Sequence, residues 1–466
     1  MSANQLALDV VSNNVANLNT PDYSRQVVTM NENTPFTLPG LQSFYPGQLG
    51  TGVSVSSITQ VRNQYLDSSL WSARGDQSGS NSLQGILTQV QTAVGEPSSS
   101  GIGQLMTNFF NSFSDLSANP ENGALRSTVL NQAETLTTAF HSVNTAFNQV
   151  NAEITSQVGT TVNQVNGLAT QIASLNHQIG MSVASGQNPN DLMDQRAALI
   201  TQLSGLVKVQ VIHAVNSTTG QSNGELNLDV GGYALVQQEV SAPLPSKFSS
   251  VNGQISLIPP TGPSIPLQGG SLYGLIQGSN LLNGYQSKLD TLAYNLINSV
   301  NTLHEAGYGL DGSTGNPFFS TPPPPPGTGA AASISVNPNL INNPSKIAAA
   351  SPPVPPNPVA PGNGDVANSI SQLINTPVIG TNTLAGYYNT LISNIGADTQ
   401  TAQVSNTNQQ QLINQLTNQQ QSVSGVNLDE ELTKMMQYQR SYQAAARLLT
   451  VSDTLITTMI TNMGNP

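Results

Sequence analysis

Three consecutive acidic residues near the C-terminus, Asp429, Glu430 and Glu431, form a run of side chains that could do chemistry. Adjacent carboxylates can bind a divalent cation or exchange protons in general acid–base catalysis. Here the run follows Asn427, a residue type that favours the N-cap of a helix, and the first turn of a helix attracts negative charge. The sequence therefore predicts a helix start at which Glu430 reaches back to the backbone of Asn427, and no metal or acid–base site.

The other residue types that usually carry catalysis or bind metals are sparse. The 466-residue chain has no cysteine, which excludes thiol nucleophiles, disulfides and thiolate metal ligands. Residues 311–315 share the start of a calcium-binding loop but lack its later acidic ligands, and no motif of a serine hydrolase, zinc protease or phosphate-binding loop occurs. Four histidines stand singly, without a second ligand three or four positions away: His141, His177, His213 and His304. We therefore predict no enzyme, no metal and no other cofactor.

Composition and charge narrow the classes of partner. Only 8% of the residues are charged, and 12 Lys and Arg against 24 Asp and Glu give a net charge of -12. Nucleic acid and anionic membrane surfaces both require clustered basic residues, so neither partner is expected. The chain begins without the basic and apolar regions of a secretory signal peptide and has no apolar run long enough to span a membrane.

The elements that must position these residues are mainly helical. Apolar residues recur every three or four positions from Leu8 to Leu18, which predicts an N-terminal helix ending at a turn over 19–22. Short extended pieces follow to about residue 57, and a helix is predicted over about 60–74. The helical period dominates from 82 to about 180, with a shorter helix from Asp191 to Leu206. Between 136 and 179 the spacing is that of a coiled-coil seam, carried by Leu136, Phe140, Val143, Phe147, Val150, Ile154, Val165, Leu168, Ile172, Leu175 and Ile179.

The apolar period changes to two between 207 and 268, as at Leu226, Leu228 and Val230, which predicts a small β-rich insertion. A helix returns at Ser271. The segment over 307–382 contains five consecutive prolines from Pro322 to Pro326 and a second proline-rich run from Ser351 to Pro361. Proline at this density favours extended polyproline II structure, so we expect an exposed loop or a degenerate outer domain there.

The final segment carries the clearest apolar repeat, a heptad spacing with breaks at Gln439 and Asp453. The predicted helix runs from Leu428 to the end of the chain, about 50 Å. A helix this long, at a chain end with no globular body of its own, needs a partner stripe, and the N-terminal helix offers one.

Several stretches resemble the flagellar axial proteins, the family that comprises rod, hook and hook-associated proteins. The N-terminal signature of the family is similar to Ser12–Gln26 (SNNVANLNTPDYSRQ), and Gly50–Val55 (GTGVSV) resembles its continuation. Residues 269–319 are similar to the internal helical region of hook-associated members. Their C-terminal signature closely resembles Ser424–Glu431 (SGVNLDEE) followed by Met436–Arg447 (MQYQRSYQAAAR). Family members commonly have glycine where Asp22 stands, so Asp22 predicts a type I turn without a positive φ. They also carry further residues ahead of the position of Met1.

With this resemblance, the patterns predict a mainly α fold with a small β-rich insertion. The expected molecule is an elongated multi-domain axial protein whose N- and C-terminal helices pair as a coiled coil beside a long-helix bundle. The expected regions are an N-terminal axial-core region over 1–80, the bundle over 81–206, the insertion over 207–270, a return helix over 271–306, the proline-rich segment over 307–382, and C-terminal helices over 383–466, with 428–466 as the axial-core helix.

The resemblance implies a structural subunit of the bacterial flagellum that assembles at the distal end of the hook and joins the hook to the filament. Its implied partners are copies of itself, the hook protein, hook-associated protein 3, and a cytosolic export chaperone on the C-terminal helix. It implies an extracellular position at the hook–filament junction, reached by flagellar type III export without a cleaved signal peptide.

The expected assembly residues lie at both chain ends. On the N-terminal segment they are Leu8, Val11, Asn14, Val15, Asn17, Leu18, Pro21 and Tyr23. On the C-terminal helix, where the chaperone is also expected to bind, they are Leu428, Leu432, Met435, Tyr438, Tyr442, Ala446, Leu449, Ile456, Ile460 and Met463.

Three alternatives stay open at this point. Another axial protein, such as the hook protein or hook-associated protein 3, is disfavoured by the Ser424–Glu431 run. An unrelated coiled-coil surface fibre is disfavoured by the N-terminal signature. An enzyme is disfavoured because no catalytic motif occurs.

Overall fold

A computed structural model describes residues 1–20, 22–35, 50–215, 222–245, 248–251, 254–259, 263–325, 327–352 and 360–463. The helices are α1 (Ser2–Ala16), α2 (Gln64–Val94), α3 (Ile102–Ala118), α4 (Gly123–Ala184), α5 (Asn190–Leu206), α6 (Ser271–Glu305), α7 (Ala330–Ser333), α8 (Pro338–Ile341), α9 (Asp365–Ser371), α10 (Leu384–Ser424) and α11 (Leu428–Met463). The strands are β1 (Gln26–Glu32), β2 (Val53–Gln60), β3 (Gln210–Val215), β4 (Ser222–Val230), β5 (Tyr233–Gln237), β6 (Val240–Ser241), β7 (Phe248–Val251) and β8 (Gln254–Leu257). The predicted fold, mainly α with a small β-rich insertion, is confirmed.

The body of the molecule is a bundle of long helices in which α2 packs on α10 and α6, and α4 packs on α3, α5 and α6. Helix α4 has 62 residues and is therefore about 90 Å long. Its seam is buried as predicted from Leu136 to Ile154. Beyond Val165 the buried positions shift to Ala169 and Asn176, while Leu168 and Leu175 are only half-buried. A straight α-helix of 3.6 residues per turn drifts relative to a strict heptad, which explains the shift.

One continuous helix, α2, replaces the two helices that the sequence predicted over 60–74 and from 82. The expected boundary between residues 80 and 81 therefore falls inside a helix. Glycines at 75 and 79, between the two predicted helices, mark close approaches of neighbouring backbone. A Cβ on Gly79 would lie 3.2 Å from the carbonyl oxygen of Gly270, and a Cβ on Gly274 of α6 would lie 2.2 Å from that of Gly79. Only glycine lets the two backbones come this close.

Uncharged polar side chains line the middle of the contact between α2 and α10, and towards its end Gln420 donates to the carboxylate of Asp67 at 2.6 Å. Asn406 accepts a hydrogen bond from Gln77 at 3.0 Å and donates to Gln84 at 2.9 Å. The hydroxyls of Ser80 and Ser405 are 3.0 Å apart. Through these bonds α10 belongs to the bundle, and the chain reaches its terminal region only after Ser424.

The β-rich insertion is confirmed. Strands β3 to β6 form an antiparallel sheet in sequential order, and β7 pairs with β8 as a separate hairpin. The sheet lies on the second half of α4, where the buried Asn176 donates to the carbonyls of Leu226 and Gln238 at 2.7 and 2.6 Å. Val207 and Val209, which were expected to begin a strand, are buried just before β3.

The proline-rich segment over 307–382 is not an exposed loop, so that prediction was wrong for its described part. Phe318 and Phe319 are fully buried, and the Phe318 ring lies 5.6 Å from Phe109 and 5.4 Å from Phe113 of α3. Short helices α7, α8 and α9 supply further apolar residues to the same core. The prolines occupy two short stretches, and the apolar residues between them lack a period that would reveal their burial. Pro326 and 353–359, most of the second proline run, lie outside the described residues.

Two buried basic side chains hold this segment on the bundle. The Arg126 guanidinium donates to the carbonyl of Pro120 through Nε and Nη2, and to that of Ile347 at 2.6 Å. His304 accepts from the backbone N–H of Ala348 at Nε2, and its Nδ1 is 2.7 Å from the carbonyl of Asn316. Burial lowers the pKa of His304 to about 4, so the ring is neutral and donates from Nδ1. Among the described residues, no helix has both the length and the apolar character needed to cross a bilayer.

Replacing Arg126 by methionine should lower the free energy of unfolding by about 3 kcal/mol, because two buried carbonyls lose their charged donor. Urea denaturation followed by circular dichroism measures the change. Arg447→Met, on an exposed position of α11, is the control and should change stability little. Equal stability of the two variants would contradict the role of Arg126.

Candidate assembly interface at the two chain ends

Helices α1 and α11 pack against each other and leave the body as a pair. Asn14, near the end of α1, bonds to Glu431, near the start of α11. From this bond the buried residues of α1 extend towards its N-terminus, to Ala3. The half-buried residues of α11 extend towards its C-terminus, to Ala446. The two helices therefore run antiparallel. Because α1 has 15 residues and α11 has 36, the last part of α11 extends past α1.

The side-chain amide of Asn14 is the hydrogen-bonding centre of this pair. Its Nδ2 donates to the carbonyl of Gln26 and to Oε2 of Glu431, both at 2.9 Å. Its Oδ1 accepts from the backbone N–H of Gln26 and from the hydroxyl of Tyr23, also at 2.9 Å. All four hydrogen-bonding positions of a buried amide are thus used. One side chain fastens α1 to the strand that follows it and to the C-terminal helix.

The acidic run of α11 has a second role beyond the helix dipole. Asn427 caps the helix as predicted, because its Oδ1 accepts from the N–H groups of Asp429 and Glu430. Glu430 does not reach back to Asn427. It pairs instead with Arg25 at 2.9 Å and Lys434 at 2.7 Å, and these two cations lower the pKa of its carboxyl, Lys434 more strongly. Glu431 is only 1% exposed and bonds to Asn14.

A polar joint fastens the terminal region to the body. The N-terminus of α5 supplies most of the contacts: the carbonyl of Asn190 accepts from Gln60 at 2.6 Å, and Asn190 Nδ2 donates to the carbonyl of Ile58 at 3.0 Å. Asp191 accepts from Gln26 at 3.1 Å. These contacts are hydrogen bonds between groups on the surface of two elements, so the orientation of the terminal helices depends on polar side chains.

Buried acids at this joint are electrostatically unfavourable. Burial raises the pKa of Asp194 to about 6 even though Arg62 lies 3.7 Å away. Burial also raises the pKa of Asp22, and burial with the charges of Asp194, Asp191 and Glu431 raises that of Tyr23 to about 12. The Tyr23 hydroxyl therefore keeps its proton and can donate it to Asn14.

The structure places the predicted N-terminal residues in three environments. Val11 and Asn14 are buried, while Leu8, Val15, Asn17 and Tyr23 are half-buried. Leu18 is exposed, and Pro21 lies outside the described residues. The buried residues of α1 are Ala3, Ala7, Val10, Val11 and Asn14, so the seam includes the predicted Val11 and Asn14 but otherwise lies to one side of the predicted stripe.

Asp22 adopts a φ of +61°, so the expectation of a turn without a positive φ was wrong. Aspartate is one of the few residue types that enter the left-handed region at small cost.

The predicted C-terminal residues divide into two groups along α11. Met435, Tyr438, Tyr442 and Ala446 are half-buried on the part that α1 covers. Leu428 and Leu432 are partly exposed at its start. Leu449, Ile456, Ile460 and Met463 are largely exposed, with Ile460 at 67% and Met463 at 85%. Nothing in the described part of the chain covers this last group.

Four residues of this interface were not predicted from the sequence: Arg25, Gln26, Glu431 and Asp194. One signal could have identified Glu431: Asn14 continues the alternating 4-3-4 spacing of Ala3, Ala7 and Val10, and a polar residue at a seam position requires a buried partner. No cluster of His, Asp or Glu in the described ranges has the arrangement of a metal site.

Both chain ends match models of flagellar rod-type proteins. Residues 1–23 match the flagella basal body rod protein model, and residues 418–463 match the C-terminal model of the flagellar basal body rod FlgEFG proteins. These are the two helices that pair here, which defines the class as flagellar axial protein. Residues 87–319, half of the chain, match the helical domain of the flagellar hook-associated protein FlgK. The chain belongs to the FlgK family of flagellar hook-associated proteins.

Similar proteins are known over the full length of the chain. Flagellar hook-associated protein 1 of Bacillus subtilis is 28% identical over 503 residues, covering 100% of this chain and 96% of the relative. Its namesake in Salmonella typhimurium is 28% identical over 553 residues, covering 99% and 98%. The structure of the flagellar hook junction protein FlgK from Burkholderia pseudomallei shares the fold, with a TM-score of 0.65 at 21% identity over 77% of this chain and 100% of that one.

Replacing Asn14 by alanine should release the terminal helices from each other, because it leaves Glu431 buried without its amide donor. We expect a loss of about 3 kcal/mol in the stability of this region. Hydrogen exchange should show lost protection in α1 and α11 and unchanged protection in α2 to α10. Ser12→Ala, on an exposed position of the same helix, is the control. Full protection of α11 in the Asn14 variant would contradict this role.

Replacing Asp194 by asparagine should stabilise the protein at pH 8 by about 1 to 2 kcal/mol. The ordinary pKa of 3.8 is raised to about 6 in the folded chain, so the carboxyl reduces stability as the pH rises through 6 and is protonated in both states below 4. The difference between the variant and wild type in urea denaturation should therefore grow from pH 4 to pH 7. Asp9→Asn, at an exposed position, controls for the loss of one charge. A difference that does not vary with pH would refute the assignment.

Proposed function

We propose that this chain is a non-enzymatic structural subunit that assembles at the distal end of the flagellar hook and joins the hook to the filament. Membership of the FlgK family supports this role, as do the names of the relatives, hook-associated protein 1 and hook junction protein. The proposed partners are copies of the chain, the hook protein and hook-associated protein 3. The proposed location is extracellular, at the hook–filament junction.

One observation carries the proposal: the last part of α11, residues 448–463, is a helix without a partner among the described residues. Six of its aliphatic residues and both of its methionines are more than half exposed: Leu448, Leu449, Val451, Leu455, Ile456, Met459, Ile460 and Met463. A monomeric protein rarely exposes so much contiguous apolar surface. Burial against other subunits at roughly 25 cal/mol per Å² would offset the entropy of ordering this helix.

The polar residues of this stretch also favour packing. Thr450, Thr454 and Thr457 each donate their hydroxyl to the carbonyl four residues earlier, at 3.1, 2.7 and 2.8 Å. Because each hydroxyl is hydrogen-bonded within its own helix, the threonine needs no external hydrogen-bond partner and its methyl group points outward. Asp453 is the one charged residue of the sequence from 448 to 463. The helix therefore presents a weakly polar surface on all sides, as a helix surrounded by subunits requires.

The same surface needs protection before assembly. A chaperone in the cytosol would cover α11 by packing apolar residues into the stripe that later contacts other subunits. Export through the flagellar type III channel, without a cleaved signal peptide, would then deliver the chain to the growing end. The body has its own closed core and can fold before the terminal helices find their partners.

Deleting residues 428–466 should abolish polymerisation on hooks while the body stays folded, because the deletion removes α11 and nothing of the bundle. The double substitution Ile456→Ser and Ile460→Ser should give the same loss and leave monomer stability unchanged. Electron microscopy of purified protein with hook fragments measures assembly, and a swimming assay of the mutant strain measures function.

The matched control is Thr454→Ser with Thr458→Ser, on the same helix. Normal junctions and swimming in the deletion strain would refute the proposal. Loss of cell-surface filaments with flagellin monomers released into the medium is the expected result.

A further inference from the structure

A cavity of about 290 Å³ opens beside the polar joint, among α2, α5, β2 and the sheet of the insertion. Its wall is apolar where Trp71, Ile200 and Leu226 meet, and its rim carries Gln60 and Asn190. The Trp71 indole is fixed in place because its N–H donates to Thr201 at 3.0 Å. The volume suits a small ligand, at the low end of the range for ligand pockets. None of the predicted assembly residues lines it.

A buried arginine faces this cavity with part of its guanidinium unused. Arg196 is 6% exposed, and its Nη1 donates to Oδ1 of Asn176 at 2.8 Å and to the carbonyl of Gly224 at 2.7 Å. No described residue accepts a hydrogen bond from Nε or Nη2. None of the ion pairs among the described residues includes Arg196. Burying a guanidinium without an anion costs free energy. The two unused donors of Arg196 therefore indicate a position for an anion.

None of the other described ionisable groups of the cavity forms an ion pair with Arg196. The Nε of Arg62 is 3.0 Å from Asp67, and its Nη1 is 3.7 Å from Asp194, so these acids are committed to Arg62. Two causes lower the pKa of His213: burial, which is the larger, and the nearby positive charge of Arg196. The ring is therefore neutral at pH 7. The charge of Glu225 acts favourably on Arg196, but no ion pair joins the two, so no carboxylate of the described residues occupies the free edge of this guanidinium.

We propose that this cavity binds a small carboxylate that carries an apolar body. The Nε and Nη2 groups form one edge of the guanidinium plane, and that edge matches the two oxygens of a carboxylate in a bidentate pair. The apolar body lies against Trp71, Ile200 and Leu226. The carboxylate comes either from a free molecule or from an aspartate or glutamate side chain of a second copy of this chain. This binding site is independent of the proposed assembly through α11.

Trp71 is the one tryptophan of the chain, so its fluorescence reports on the cavity directly. Phenylacetate titrated into the full-length protein should give a saturable change in emission. Phenylacetamide, which has the same shape without the charge, should bind at least about tenfold more weakly. Arg196→Lys keeps the charge but loses the planar edge and should also weaken phenylacetate at least about tenfold.

A second variant keeps the test decisive if Arg196→Lys does not fold. Ser68 is exposed on the rim of the cavity, so Ser68→Phe should block the mouth, abolish the response and preserve stability. Thr88→Phe, on an exposed position of α2 away from the cavity, is the matched control and should bind as wild type does. Equal binding of phenylacetate and phenylacetamide, no saturable response, or wild-type binding by Ser68→Phe would each overturn the proposal.

Sedimentation velocity separates the two sources of the carboxylate. If a second copy supplies it, phenylacetate should shift the wild-type protein towards monomer, and the Ser68→Phe variant should be more monomeric than wild type. If a free molecule supplies it, association should be unchanged while the fluorescence response persists. Both results support the site, and neither depends on whether the chain joins the hook to the filament.

Discussion

The hydrogen bonds of the Asn14 amide are the constraint on which the arrangement of the chain ends depends. A buried amide that left one position unfilled would lose about as much as a hydrogen bond contributes, so the four partners must come together or not at all. Those partners belong to Tyr23 and Gln26, in the segment after α1, and to Glu431 of α11, which is 417 positions from Asn14. Closing this network brings Glu431 out of water. Arg25 and Lys434 form ion pairs with the neighbouring Glu430.

The body and the ends are stabilised in different ways. The body buries a continuous apolar core that runs from α2 to α10 and includes the segment after α6. The ends bury little beyond the alanines and valines of α1, and the joint to the body is made of hydrogen bonds around α5. Such hydrogen bonds are replaced by bonds to water when the joint opens, so their net contribution is small. A rigid body with weakly attached ends can fold first and let the ends adjust to their surroundings.

The sequence predicted the elements better than it predicted their surfaces. The long seam of α4 and the return helix α6 follow from apolar spacing because their cores are made of large aliphatic residues. The seam of α1 was partly misplaced because alanine carries too weak a signal to compete with Leu8 and Val15. The continuity of α2 was missed, since a sequence does not reveal which backbone approaches Gly75 and Gly79. The burial of Phe318 and Phe319 was missed because prolines nearby dominate the local composition, and the second role of Glu431 was hidden by the dipole explanation.

The uncharged pairs in the middle of the contact between α2 and α10 have a consequence for the salt concentrations that the body tolerates. Amide and hydroxyl pairs such as Gln77 with Asn406 and Ser80 with Ser405 carry no net charge. Dissolved ions screen interactions between full charges, but they leave such dipolar pairs nearly untouched. Because it has few ion pairs that salt could weaken, the bundle should keep its structure from low to high ionic strength.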